Sequence, residues 1–157
     1  MENQNIEQKL ENSQKELDNF ENKLALPDKF SIEIENQAKH LLTISPAYLR
    51  KMGPEELSEG AYTLSQYAFF LQKAINKEIS CVKWCDESIK RILSREIPQQ
   101  RAYSYDERRM LAIKENDATQ KIDELRVKSQ LKIDRLNYVS MRVENLAQSM
   151  RYIKREK

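Results

Sequence analysis

Histidine, cysteine and paired carboxylates are where catalysis or metal binding would show first, and this chain offers few of them. His40 is its only histidine. No neighbouring cysteine or acidic pair completes a recognisable triad or ligand set, and a surface or half-buried helix position accounts for it. Cys81 and Cys85 flank Trp84 in a Cys-x-x-x-Cys arrangement. Zinc takes four ligands, which two thiolates and one imidazole do not supply within a monomer. Cys85 also falls on an apolar seam, so both read as small core thiols. The two glycines, Gly53 and Gly60, are isolated and form no phosphate-cradling loop. These residues point to a protein that is not an enzyme and needs no cofactor or metal.

The basic residues are more informative. Lys83, Lys90, Arg91 and Arg95 precede Pro98, and Arg101, Arg108 and Arg109 follow it, with Tyr103 and Tyr105 between them. A single strand of nucleic acid needs this combination, because cations neutralise phosphates while rings stack on unpaired bases. A solvated helix surface is the competing reading, since Asp86, Glu87, Glu96, Asp106 and Glu107 are interspersed. A second basic run, Lys121, Arg126, Lys128, Lys132 and Arg135, is interleaved with Asp123, Glu124 and Asp134, and ion pairing accounts for most of it. Arg151, Lys154, Arg155 and Lys157 close the chain, where they partly offset a helix C-terminal dipole.

The elements that must position these groups are helices. The chain has 157 residues, two glycines and four prolines, and 33% of it is charged. That composition suits long helices and resists a β-rich fold. The aromatic residues Tyr62, Tyr67, Phe69, Phe70 and Trp84 supply surface to bury, against disorder. No apolar run reaches the roughly 18 residues of a membrane span, the N-terminus does not read as a signal peptide, and two cysteines one helical turn apart suit a reduced, cytoplasmic protein. Charge is uneven. Residues 1–60 carry 7 Lys/Arg against 12 Asp/Glu, and residues 61–157 carry 20 against 13. An acidic head and a basic body suggest two partners, or one polyanion held at one end.

From Leu57, apolar or small residues recur at spacings of four and three through Ala61, Leu64, Ala68, Leu71, Ile75, Val82, Cys85, Ile89 and Ile92, with Glu78 in one slot. This heptad seam predicts one long helix over about Pro54–Ile97, on the order of 65 Å. Leu111, Ala118, Ile122, Leu125, Leu136, Val139, Val143, Leu146, Met150 and Ile153 share a second frame, interrupted at Ser129 and Lys132, and Ser104 with Glu107 has capping-box spacing. A second long helix is predicted from about Tyr105. The short connection favours an antiparallel hairpin. Ahead of it, residues 1–53 form an acidic arm. Ile6, Leu10, Leu17, Phe20 and Leu24 predict a helix over Asn5–Ala25. Phe30, Ile32 and Ile34 read as an extended connector, Ala38–Ile44 as a short helix, and Ser45-Pro46 as the start of another over Ala47–Met52. The expected architecture is all-α and elongated, with the hairpin over residues 54–157. Apolar surplus at Tyr67, Phe69 and Phe70 favours a homo-oligomer, with Leu136, Val139, Val143, Leu146, Met150 and Ile153 as its contact seam; folding back of the N-terminal helix is the monomeric alternative.

Tyr62-x-Leu64-x-x-Tyr67-Ala68 through Leu71-Gln72-Lys73, Asn76-Lys77, Val82-x-Trp84, Glu107-Arg108-Arg109-x-x-Ala112-Ile113 and Leu136-x-Tyr138 with Arg142-Val143-Glu144 and Leu146 together resemble the UvsY-type recombination mediators of tailed phages. The resemblance spans roughly Leu57 to Lys154. It implies an oligomer that binds single-stranded DNA and helps a RecA-like recombinase displace a single-strand-binding protein, in the host cytoplasm and without catalysis. By position, Lys90–Arg95 resembles the family's DNA-contacting helix and Leu136–Ile153 its oligomerisation helix. The acidic N-terminal helix has no counterpart there.

Two other readings stand beside it. In one, the coils of a phage structural or assembly protein bind only other coils, which the N-terminal heptad favours. In the other, the chain regulates by binding duplex DNA, though it has no compact helix-turn-helix.

Overall fold

The computed structural model describes residues 2–23, 31–96 and 104–156, and among these every regular element is an α-helix. They are α1 (Glu2–Lys23), α2 (Ile32–Thr43), α3 (Pro46–Leu49), α4 (Pro54–Glu96), α5 (Tyr105–Glu115) and α6 (Asp117–Arg155). The all-α expectation holds. The chain forms two compact units, and α4 and α6 each contribute to both. The first unit comprises residues 1–24 and 76–133, the second residues 25–75 and 134–157. This partition differs from a division at residue 53, because α2 and α3 pack into the same core as the start of α4.

In the second unit, the core joins Ala38 and Leu41 of α2, Leu49 of α3, Met52 between α3 and α4, Leu57, Ala61, Leu64 and Leu71 of α4, and Val143, Ala147 and Met150 of α6. Residues 31–34 are the main departure from sequence expectation. Instead of an extended connector, Ser31 caps α2, its Oγ accepting the Ile34 N–H at 3.3 Å, and Glu33 and Glu35 occupy the favourable first turn. Ile32, which the alternating pattern would bury, is 75% exposed. The pattern that decided the fold is Ile34–Ala38–Leu41, spaced four and three, which puts three apolar groups on one helical face. Phe30 lies outside the described residues. The Pro-initiated starts form as the sequence predicts. Ser45 Oγ accepts the Tyr48 N–H at 3.3 Å with Pro46 at N1, and Glu56 reaches back to accept the Gly53 N–H at 2.7 Å ahead of Pro54.

At Gly60 the absence of a side chain is used. A Cβ there would stand 2.9 Å from Met150 Cε and 3.1 Å from its Sδ, with Leu41 Cδ2 at 3.5 Å. Glycine in a helix interior costs about 1 kcal/mol relative to alanine. Here that cost is offset by letting the fully buried Met150 lie against the backbone of α4.

In the first unit, Cys81, Cys85, Ile89 and Leu93 of α4 form a buried row spaced by four, packed with Ile122 of α6. Leu10 of α1, Trp84, Ala112 and Leu125 border this core. The Val82 and Ile92 of the expected seam are only partly buried, and Cys81 and Leu93 take the central positions. Of the α1 seam, Leu10 packs while Leu17 and Phe20 are exposed; Ile6 and Leu24 are outside the described side chains. A salt bridge from Lys77 to Asp18, 3.5 Å, is a further contact of α1 within this unit.

The single long helix expected from Tyr105 is instead two. Ser104 and Glu107 form the full capping box that starts α5. Asn116 then leaves helical geometry at φ −123° and ψ 110°, ending α5 and starting α6. Its N–H donates to Ala112 O at 2.9 Å, while its Oδ1 accepts the N–H groups of Ala118 at 2.9 Å and Thr119 at 3.1 Å. Asparagine is among the best N-cap residues, so the cut falls there rather than at an apolar neighbour.

The buried face of α6 is also one position away from the expected frame for half of its slots. In the first unit the interior takes Thr119, Ile122, Ser129 and Ile133; in the second, Ser140, Val143, Ala147 and Met150. Ser129, expected as a seam break, is 1% exposed and donates to Cys81 Sγ at 3.2 Å. Lys132 points out to Glu78 at 2.7 Å while Ile133 is buried. Three of the buried positions on α6 are thus small residues, Ser129, Ser140 and Ala147, beside the larger Leu125 and Leu146 that border the cores.

Candidate nucleic-acid interface

The cations of α4 divide sharply by face. Its buried row in the first unit is Cys81–Cys85–Ile89–Leu93. At 100° per residue, Lys83, Lys90 and Arg91 project away from that row, and all three are exposed. Lys90 lies 3.8 Å from Glu87, a weak exposed pair. Among the described residues, Lys83 and Arg91 have no ion-pair partner. Arg95 lies at the end of α4, and its side chain, like the whole of Arg101 and Tyr103, is outside the described residues.

On α5 the outcome is different. Arg109 is no free phosphate contact, because its Nη2 sits 3.0 Å from Asp123 Oδ1 and 3.4 Å from Asp86 Oδ1. Arg126 Nε meets the same two carboxylates, at 3.0 Å and 3.8 Å. Two arginines and two aspartates thus tie α4, α5 and α6 together within the first unit, with Asp123 shared at the shorter distances. The Arg109 side chain is 23% exposed. Sequence distance hid this arrangement: Asp86 stands 23 positions from Arg109, and only the packing of α5 makes them neighbours. Arg108 is half-buried, and its Nε has no hydrogen-bond partner among the described residues. Tyr105, 44% exposed, stands one turn before Arg109. The predicted cluster therefore keeps Lys83, Lys90, Arg91 and Tyr105 as accessible groups and gives Arg109 to the fold.

No family model, curated protein or solved structure matches this chain.

The remaining candidate groups fall into place without chemistry of their own. His40 is exposed on α2, and its carbonyl accepts the Thr43 hydroxyl at 2.7 Å. Cys81 and Cys85 are free and buried. The hydrogen bond they share, helped by Ser129, lowers the Cys81 thiol from its ordinary range; the same bond and burial raise Cys85. Buried thiols of this kind are shielded from reagents whatever their protonation. Among the described residues, no group of three His, Cys, Asp or Glu could hold a metal ion, and no helix is long and apolar enough to cross a membrane.

The oligomerisation seam is largely spent inside the chain. Val143 and Met150 are fully buried in the core of the second unit, and Leu136, Leu146 and Ile153 pack against it. Only Val139, 37% exposed, remains accessible. Besides Val139, three larger apolar groups of α6 face out in this unit, Tyr138, Met141 and Tyr152. Their spacing of three and eleven puts them on one stripe, opposite Val143 and Ala147. Sequence reasoning passed over this stripe because Asp134, Asn145 and Gln148 occupy its other slots.

A groove in the second unit also went unassigned. Leu57, Ser58, Ala61 and Tyr62 of α4 and Arg151, Lys154 and Arg155 of α6 line a cavity of about 470 Å³. Arg151 Nη2 donates to Ser65 Oγ at 2.7 Å along its edge.

Proposed function

We propose that the protein is a non-enzymatic, single-stranded-DNA-binding recombination accessory protein that assists recombinase loading. The observation that carries the reading is the outward row Lys83, Lys90 and Arg91 on the face of α4 turned from its core. Exposed cations of this kind release counterions from a polyanion, and an exposed ring such as Tyr105 stacks on an unpaired base. The resemblance to the UvsY-type mediators supplies the rest of the proposal: antiparallel pairing of α4 and α6 as a hairpin, self-association, and a RecA-like recombinase and a single-strand-binding protein as partners, in the cytoplasm of a phage host.

Neutralising Lys83 and Arg91 together tests it, since neither has an ion-pair partner among the described residues. Two phosphate contacts at a slope of roughly 0.7 each predict that the salt dependence of single-strand binding flattens by about 1.4. An unchanged slope and affinity would remove the site. Arg108 and Arg109 are poorer probes, because changing Arg109 breaks the network with Asp86 and Asp123.

The stripe Tyr138, Met141 and Tyr152 favours a second reading, a phage assembly protein whose helices bind other helices and no nucleic acid. It predicts salt-insensitive association with Lys83 and Arg91 dispensable.

A further inference from the structure

Several described cations are matched by acids. Lys39 pairs with Glu35, Lys77 with Asp18, Lys90 with Glu87, Lys132 with Glu78, and Arg109 and Arg126 with Asp86 and Asp123. The groove of the second unit gathers three that are not. Arg151, Lys154 and Arg155 stand at i, i+3 and i+4 on one face of α6 and line it together, with no carboxylate in the lining. Among the described residues none of the three has an ion-pair partner. Like charges at these spacings destabilise a helix by a few tenths of a kcal/mol per pair. The C-terminal dipole of α6 offsets part of that, yet the dipole does not require all three charges to converge on one cavity. On the opposite wall is Tyr62, 65% exposed, its hydroxyl accepting the Gln66 Nε2–H at 2.8 Å, with the Ser58 side chain beside it. The floor is apolar, formed by Leu57 and Ala61. Three cations along one wall and a ring on the other over an apolar floor match a phosphodiester backbone with an unstacked base.

We propose that this groove is a second contact site for single-stranded nucleic acid, with Arg151, Lys154 and Arg155 on successive phosphates and the Tyr62 ring stacked on a base. The inference rests on the single-strand-binding reading and adds to it a site in the other unit, independent of Lys83 and Arg91. Arg151 is held by Ser65, so it is the positioned member of the set, while Lys154 and Arg155 extend the field.

The test measures binding of a labelled single-stranded oligonucleotide across a salt series, with wild type, K154Q/R155Q, R151Q/K154Q/R155Q, Y62A and K83Q/R91Q, each first checked for helical content. Removing two cations should flatten the logarithmic salt slope by about 1.4, and removing three by about 2. Tyr62→Ala should weaken binding roughly fivefold or more with the slope unchanged, and should spare a duplex of equal length, whose bases are not free to stack. K154Q/R155Q leaves the Arg151–Ser65 contact intact and so separates lost charge from lost structure. If wild type binds and K83Q/R91Q weakens it while the groove variants bind as wild type does, the groove proposal is overturned and the α4 site stands. If wild type binds no single strand at low salt, both fall.

Discussion

Neutralising Arg109 separates a structural cation from a DNA contact. The guanidinium bridges Asp123 at 3.0 Å and Asp86 at 3.4 Å, and Arg126 bridges the same pair at 3.0 and 3.8 Å. Charge in this quartet balances, two against two. Arg109→Gln leaves two carboxylates sharing one arginine. Hydrogen bonds to charged groups contribute about 1.5–3 kcal/mol, and an exposed ion pair 0–1. With Arg109 and Asp123 about one-fifth exposed and Asp86 about one-half, the expected loss is about 1–2 kcal/mol, or roughly 3–6 °C in melting temperature for a chain of this size. The geometry also ranks the acids. Asp123→Asn should cost more than Asp86→Asn, because Asp123 makes both short contacts and is the less exposed. Urea unfolding followed by circular dichroism, with the double variant R109Q/D123N to close a cycle, measures all of this. A coupling below a few tenths of a kcal/mol, or Asp86→Asn costing as much as Asp123→Asn, would refute the account of the network.

Other outcomes follow from the same geometry. Gly60→Ala should change stability by less than about 1 kcal/mol, since gained helix propensity opposes displacement of the Met150 tip, whereas Gly60→Val should lose about 2 kcal/mol or more by overpacking; chemical denaturation reads both. Ser104→Ala should cost about 1 kcal/mol by removing the cap of α5. Hydrogen bonds from the Ser104 backbone and side chain hold the Glu107 carboxyl below its ordinary range, so its contribution is fully present above the usual carboxylate range and is lost as pH falls through the lowered value. The pH dependence of unfolding in S104A should therefore be shallower on the acid side than in wild type. Asn116→Ala should lose about 1 kcal/mol through the cap of α6, seen as a lower urea midpoint. Cys81 and Cys85 should react with a thiol reagent only as fast as the core opens, and mild urea should speed both together.

Helix content and most helix starts were legible in the sequence, because capping is local chemistry. Ser45-Pro46, Gly53-Pro54 with Glu56, and Ser104 with Glu107 each declare themselves within four residues. The break at Asn116 is equally local, but a continuous heptad frame outweighed it. The frame itself misled for α6. Periodicity favours large apolar residues, and the fold also buries Ser129, Ser140 and Ala147, which such a frame does not pick out. Residues 31–34 failed for the opposite reason, since Ile32 and Ile34 alternate while Ser31 caps a helix. Of the basic cluster, sequence could place Lys83, Lys90 and Arg91 together on one face of α4. It could not foresee that Arg109 meets Asp86 and Asp123, nor that Arg151, Lys154 and Arg155 converge across a groove from Tyr62. Such pairings depend on which helix faces meet, and no local rule states that.

Single-strand binding is read by the anisotropy of a labelled single-stranded oligonucleotide beside a duplex of equal length, titrated with the wild-type protein at several salt concentrations. Tighter binding to the single strand is expected, with an affinity that falls steeply with salt. Flat traces at low salt, or preference for the duplex, would contradict it.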